Sequence, residues 1–250
     1  LGTKNNVKNF TKKDLEKHKN ELYTKDNIII IVSWWYTDYD RIIEKIGESF
    51  DNLPDIRDWE KPSFPWNLPQ QKTKNFDKNT QQNHLVFSSP WFSFNHHQQY
   101  VAKIAMTIIW WNMSSRLFQE VREKRGLAYY IQWWHIAMPD YWTFIIRAGL
   151  DKNRKKEWHD IILNTLDKIS KNWCTKQEFI NAKNFIIWNL KLSLESSDEF
   201  ANFYGKKVLL YNQILHIKDI IWYINKIKIE EVNNLLENLA AKNFYLFSME

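Results

Sequence analysis

Five glycines serve all the turns of a 250-residue chain that also carries fourteen tryptophans. Glycine reaches positive φ without a steric penalty, so it usually marks tight turns and helix ends. Here large rings occupy such places. Trp34 and Trp35 stand between a strand-like run and a helix start, Trp110 and Trp111 between an apolar helical pattern and Asn112, Trp91 directly after Pro90, and Trp173 just past a helical segment. Trp133 and Trp134 interrupt a strand pattern. We expect several of these to be UGA codons read as Trp where the source organism reads Gly. The alternative is a Trp-rich surface suited to sugars or membranes.

The rest of the chain is that of a globular protein. With 44% apolar and 26% charged residues it has the material for a core, organised as one or two domains. Its longest apolar runs, such as Ile28 to Val32, are far shorter than the roughly 20 residues that span a bilayer, so no membrane span is expected. The chain opens Leu1-Gly2-Thr3 with no charged-then-apolar leader, and a cytoplasmic location is the expectation. The single cysteine, Cys174, excludes an internal disulfide and a cysteine-rich metal site; with no evident His partner it reads as an inert thiol. A net charge of +6 suits acidic partners in principle. The lysines are scattered, however, and the heavy use of Lys, Ile and Asn fits an AT-rich genome. A nucleic-acid partner is therefore not expected, although a basic nucleic-acid-binding module stands as the alternative from a different functional class.

Local patterns give an order of elements. Thr11 with Asp14 and Thr175 with Glu178 have capping-box spacing and predict helices over 11–22 and 175–194; Thr37 with Asp40 repeats it before a helix bearing Ile42, Ile43 and Ile46. Ile28 to Ser33 reads as a buried strand by its β-branched run. The stretch 51–79 holds four of the six prolines and little apolar periodicity, so it reads as a linker. Beyond it we expect a strand at 84–88, helices at 95–109 and 114–124, paired strands at 127–133 and 143–150, helices at 155–171, 198–211, 217–226 and 230–241, and a last strand at 243–248. Strands grouped apart from helices mean an α+β fold.

The chemistry concentrates in residues 113–129, MSSRLFQEVREKRGLAY. A helix ending near Arg125-Gly126 and an apolar run starting at Leu127 bring Arg122 and Tyr129 to one helix-to-strand junction. Arg122 offers a planar, permanently charged fork and Tyr129 a phenolic donor. Two such donors on one carbonyl oxygen can stabilise the oxyanion of a tetrahedral intermediate. Spacing alone equally allows a cation favoured by the helix dipole, paired with a nearby Glu, and a tyrosine packed in a strand. The histidines offer less. His96 and His97 are adjacent and point about 100° apart on a helix, a poor arrangement for one ion and a good one for a solvated helix start. His84 reads as a hydrogen-bonded structural residue, and His18, His135, His159 and His216 are isolated.

The same stretch closely resembles the second half-domain signature of the pitrilysin (insulinase, mitochondrial-processing-peptidase) family of zinc peptidases. Leu1-Gly2-Thr3 with Val7, Phe10 and Thr11 resembles that family's LGT…V…FT segment. Tyr23-Thr24 through Asn27 resembles its YTPDN turn, with Lys25 where Pro is usual, and LKLSLESSDEF at 190–200 resembles a late helix. Tryptophans 91, 110, 111, 142, 173 and 188 fall where family members usually carry glycine.

The resemblance implies α+β subdomains of two layers, sheet plus helices, of the processing-peptidase type: the end of one at 1–50, a linker at 51–80 and a complete one at 81–250. It implies part of a zinc endopeptidase that cleaves unfolded peptides inside a clamshell of two halves, a homodimer or heterodimer. In that family Arg122 and Tyr129 would be the catalytic, substrate-binding pair on the scissile carbonyl. The family's zinc motif, His-x-x-Glu-His with a further Glu, precedes the LGT segment and does not occur in these residues. Zinc is thus expected in the full-length protein, with its ligands and the catalytic base outside this chain. The alternative within the family is a non-catalytic partner or scaffold subunit.

Overall fold

The computed structural model describes residues 2–35, 37–55, 70–78, 82–91, 96–111, 113–126, 128–137, 142–150 and 154–249; at 90, 91, 96, 128, 129, 133–137, 142, 211 and 241 it describes the backbone alone. In chain order the elements are α1 (Lys4–Asn9), α2 (Lys12–Leu22), α3 (Tyr39–Phe50), β1 (Thr73–Phe76), β2 (Asn83–Trp91), α4 (His96–Met106), α5 (Arg116–Phe118), β3 (Ala128–Ala137), β4 (Trp142–Leu150), α6 (Lys155–Asn172), α7 (Lys176–Leu192), α8 (Ser197–Tyr211), α9 (Ile217–Lys226), α10 (Ile229–Glu237) and β5 (Tyr245–Met249). Contacts divide the chain into two units, Leu1–Pro62 with Leu194–Ile214, and Ser63–Ser193 with Leu215–Glu250. Residues 194–214, assigned from sequence to the 81–250 subdomain, group with the N-terminal unit. None of the described helices is long and apolar enough to cross a membrane.

The larger unit is built on one mixed sheet in the order β1-β5-β2-β4-β3, with β1 parallel to β5 and the other neighbours antiparallel. Alternation along the strands sorts its two faces. Leu85 and Phe87 of β2 and Phe144, Ile146 and Ala148 of β4 are buried on the face that receives the helices. Phe87 meets Trp158 of α6 at 5.6 Å between ring centroids, and Phe144 meets Phe244 at 6.1 Å. Trp158, Ile162, Leu166, Val232 and Leu236 complete this core at 0% exposure, each such side chain contributing about 1.5–3 kcal/mol of burial. His84, Val86 and Ser88 of β2, with Ile145 and Arg147 of β4, alternate onto the opposite face and are only half-buried. The fold is α+β, as expected.

Two details differ from the sequence expectation. Thr73–Phe76, inside the supposed linker, is strand β1. Four exposed, mostly polar residues carry no periodic signal; pairing with β5 makes them a strand. β3 also runs through Trp133 and Trp134 to Ala137, because both residues pair in register with Ile146 and Ile145.

The smaller unit holds α1, α2, α3, α8 and residues 28–33. The capping boxes of Thr11 with Asp14 and Ser196 with Glu199 start α2 and α8. α3 is capped by Asp38, whose carboxylate accepts from Arg41 N at 3.1 Å; the cap predicted at Thr37 is one residue early. Ile28 to Ser33 departs from its expected state of buried strand. It has no regular secondary structure and pairs with no strand among the described residues, and Ile29, Ile30 and Val32 are 42%, 41% and 43% exposed. Ile28 and Ile30 line a cleft of about 270 Å³ with Ile46 and Phe50 of α3. Ile29 and Ile31 line one of about 650 Å³ with Ala201, Gly205 and Leu209 of α8. The segment has the apolar pattern of a strand but, among the described residues, not the hydrogen-bonded neighbours that define one.

Candidate functional site

The junction between α5 and β3 is assembled from three local features. α5 passes into a π-helical turn, Gln119–Glu123, closed by Lys124 N donating to Gln119 O at 3.1 Å. Such wide turns recur at functional sites because they displace one side chain from the regular helical sweep. Gly126 then ends the helix at φ +54°, its N–H donating to Arg122 O at 3.0 Å, and few other residues tolerate that conformation at a helix end. β3 begins two residues later.

Arg122 lies in the π turn and is exposed, its guanidinium 5.2 Å from the centroid of the Phe118 ring. The carboxylate of Glu120 is already engaged by Lys124 Nζ at 2.5 Å and Arg125 Nη1 at 2.7 Å, and these two cations hold its carboxyl below the usual range. Arg122 therefore has no ion pair among the described residues. On β3 the register passes from Ala128↔Leu150 to Tyr130↔Gly149, leaving Tyr129 as the extra residue of a β-bulge. β3 is an edge strand, so its outer row of N–H and C=O groups faces no strand among the described residues. The side chain of Tyr129, and with it the separation of the Arg122–Tyr129 pair, lies outside the described residues.

A second arginine of the motif braces this junction. Arg116 binds Glu178 through two bonds, Nε to Oε1 at 2.7 Å and Nη2 to Oε2 at 2.8 Å, and Nη2 also donates to Trp173 O at 2.7 Å. Glu178 accepts in addition from Thr175 N at 2.8 Å, closing the capping box predicted for α7. Burial acts to raise the Glu178 carboxyl, but the bonds from Arg116 and Thr175 outweigh it and carry it down to about 2. Sequence reasoning found the capping box and missed Arg116, because nothing local announces a partner 62 residues away.

Metal chemistry finds no support in these residues. Among the described residues no group of three or more His, Cys, Asp or Glu is placed to hold an ion. His97, read as part of a solvated helix start, is half-buried and bonded to the carboxylate of Glu231; the fold brings α10 against α4 there. His84 Nδ1 lies 2.8 Å from the Tyr130 hydroxyl. Burial, then the neighbouring Glu178 charge, pushes the Cys174 thiol up to about 11, and its Sγ donates to Asn233 Oδ1 at 3.1 Å. A thiol so placed stays protonated at neutral pH and is a poor nucleophile.

Comparison with known proteins agrees with this architecture. Residues 9–186 match the family model described as "Peptidase M16 inactive domain". The "Uncharacterized zinc protease YmxG" of Bacillus subtilis (strain 168) is 29% identical over 247 residues, 98% of this chain and 59% of that protein. The "Non-peptidase homolog YmxG" of Helicobacter pylori (strain ATCC 700392 / 26695) is 22% identical over 258 residues, 100% of this chain and 57% of that protein. A solved protease from Helicobacter pylori superposes with a TM-score of 0.83 at 19% identity, covering 100% of this chain and 61% of the other. The chain thus spans less than two thirds of the length of these relatives.

Proposed function

We propose, because this chain belongs to the peptidase M16 family, that it is the substrate-holding portion of a zinc endopeptidase acting on unfolded peptides. One observation carries the reading: Arg122 is an exposed guanidinium without an ion pair among the described residues, one turn before Gly126, and Tyr129 follows at the bulge of an edge strand. An extended peptide can add its backbone to the free edge of β3, as peptides do at other open sheet edges. Arg122 and Tyr129 then donate to the oxygen of the carbonyl under attack and stabilise the charge that develops there. In this reading the metal and the base belong to residues outside this chain, because the family's His-x-x-Glu-His does not occur in this sequence. In the same reading residues 28–33 complete their sheet with strands from outside this chain, and two halves, as a homodimer or heterodimer, close around the peptide.

The test is hydrolysis of an unfolded peptide by the full-length protein. Arg122→Ala and Tyr129→Phe are each expected to lower turnover by roughly 10²-fold, the cost of one lost oxyanion donor, with melting temperatures preserved. Unchanged turnover in both variants would refute the assigned roles.

A second reading is favoured by the relative described as a non-peptidase homologue: a partner subunit that supplies substrate contacts or scaffold to a catalytic half. A full-length protein that hydrolyses nothing alone but raises the turnover of a zinc-bearing partner would decide for it.

A further inference from the structure

The half-buried face of the sheet carries a second arginine without a counter-charge among the described residues. Arg147 sits in the middle of β4, opposite Val86 on β2 and Gln132 on β3. Its guanidinium stacks over the Tyr130 ring at 5.6 Å from the centroid. The Tyr130 hydroxyl is held 2.8 Å from His84 Nδ1 on β2. Gly149 makes room for the ring, since a Cβ at that position would come within 2.3 Å of it. Three adjacent strands thus fix one guanidinium in place.

That guanidinium has no ion pair or hydrogen bond among the described residues. Its directly opposed neighbours, Val86 and Gln132, and the diagonal ones, His84, Ser88, Tyr130 and Trp134, include no carboxylate. Val86, Ile145 and Phe247 add apolar side chains to the face, beside the uncharged Ser88 and Gln132. A half-buried cation beside apolar side chains binds an anion more strongly than a fully solvated one does.

We propose that this face binds a carboxylate of an extended peptide, with Arg147 as the anchor and Tyr130 and His84 as positioning residues. The carboxylate comes from an acidic side chain or from the peptide's C-terminus. The proposal rests on the peptide-holding reading above and deepens it by naming a substrate class.

Fluorescence anisotropy on the full-length protein, with metal chelated so that nothing is cleaved, tests it with three labelled peptides. One carries an internal Glu and a free C-terminus, the second Gln in place of that Glu, and the third a C-terminal amide. One of the two changes is expected to weaken binding to the wild-type protein about ten- to hundredfold, the worth of a charge-assisted bond, and so to identify the source. Arg147→Gln is expected to erase that difference, and Arg122→Ala to keep it. The proposal falls if the wild-type protein binds all three peptides within about twofold, or if Arg147→Gln still discriminates. If no peptide binds at all, the peptide-holding reading falls and takes this proposal with it. If Arg122→Ala loses turnover while no discrimination is seen, only this proposal falls.

Discussion

Trp173 closes α6 at φ 59° and ψ −173°, a backbone region that is almost the preserve of glycine. The ring is 49% exposed and its Nε1–H donates to Glu237 Oε1 at 2.8 Å. That exposed bond is worth about 1 kcal/mol or less, whereas the backbone conformation costs a large residue about 1–3 kcal/mol. Arg116 binds the carbonyl of residue 173, which any residue supplies. Trp173→Gly is therefore expected to raise the melting temperature by a few degrees, about 2–4 °C per kcal/mol for a chain of this size. Calorimetry of the two proteins checks this, and a lower melting temperature would count against reading position 173 as a glycine site. Trp110 is a different case: at 5% exposure it fills the core within the π turn after α4, and it gives no such signal of strain. At this scale the signals that single out Arg122, Tyr129 and Trp173 are local, because they are motif spacing and turn chemistry. The sequence did not announce Arg147, a lone arginine in a strand, whose meaning comes from three neighbouring strands.

Among elements, the brace between α5 and α7 has the clearest energetic consequence. The folded Glu178 carboxyl titrates near 2, against an ordinary value of 4.5. A carboxyl depressed by folding contributes stability above its unfolded pKa, and that contribution is lost as pH falls through the folded pKa. The window is thus pH 4.5 down to about 2. Both partners are partly open to solvent, with side chains 24% and 28% exposed, so the pair contributes about 1 kcal/mol after screening. Glu178→Gln is expected to melt lower than wild type at pH 7, with the gap closing as pH approaches 2. Melts across that range check it, and a gap independent of pH would show that the pair does not respond to titration. Capping boxes at α2 and α7 could be read from residues three apart, because both partners lie within one turn. β1 could not, because what organises it is its pairing with β5, which lies about 170 residues later in the chain.

For the whole molecule, the expectation concerns the metal. This chain has no His-x-x-Glu-His, and its described residues group no three ligands around a point. Produced alone, residues 1–250 are expected to retain no stoichiometric zinc after dialysis, and elemental analysis reads this directly. A tight one-to-one site would overturn the division of labour proposed above, in which this chain holds the peptide and residues elsewhere hold the ion. The grouping of α8 with the N-terminal unit belongs to this scale as well. The helix follows α7 in sequence, yet residues 28–33 supply its apolar neighbours.

The sequence by itself determined the α+β class, most helices and their caps, and the junction that carries Arg122 and Tyr129, because periodicity, capping and turn preferences act over a few residues. Tertiary structure alone decided the order of the sheet, the edge position of β3, the bulge at Tyr129, the brace from Arg116 to Glu178 and the stacking of Arg147 on Tyr130 beside His84. Each of these depends on which distant segments become neighbours, and that is settled by burying one face of every element at once.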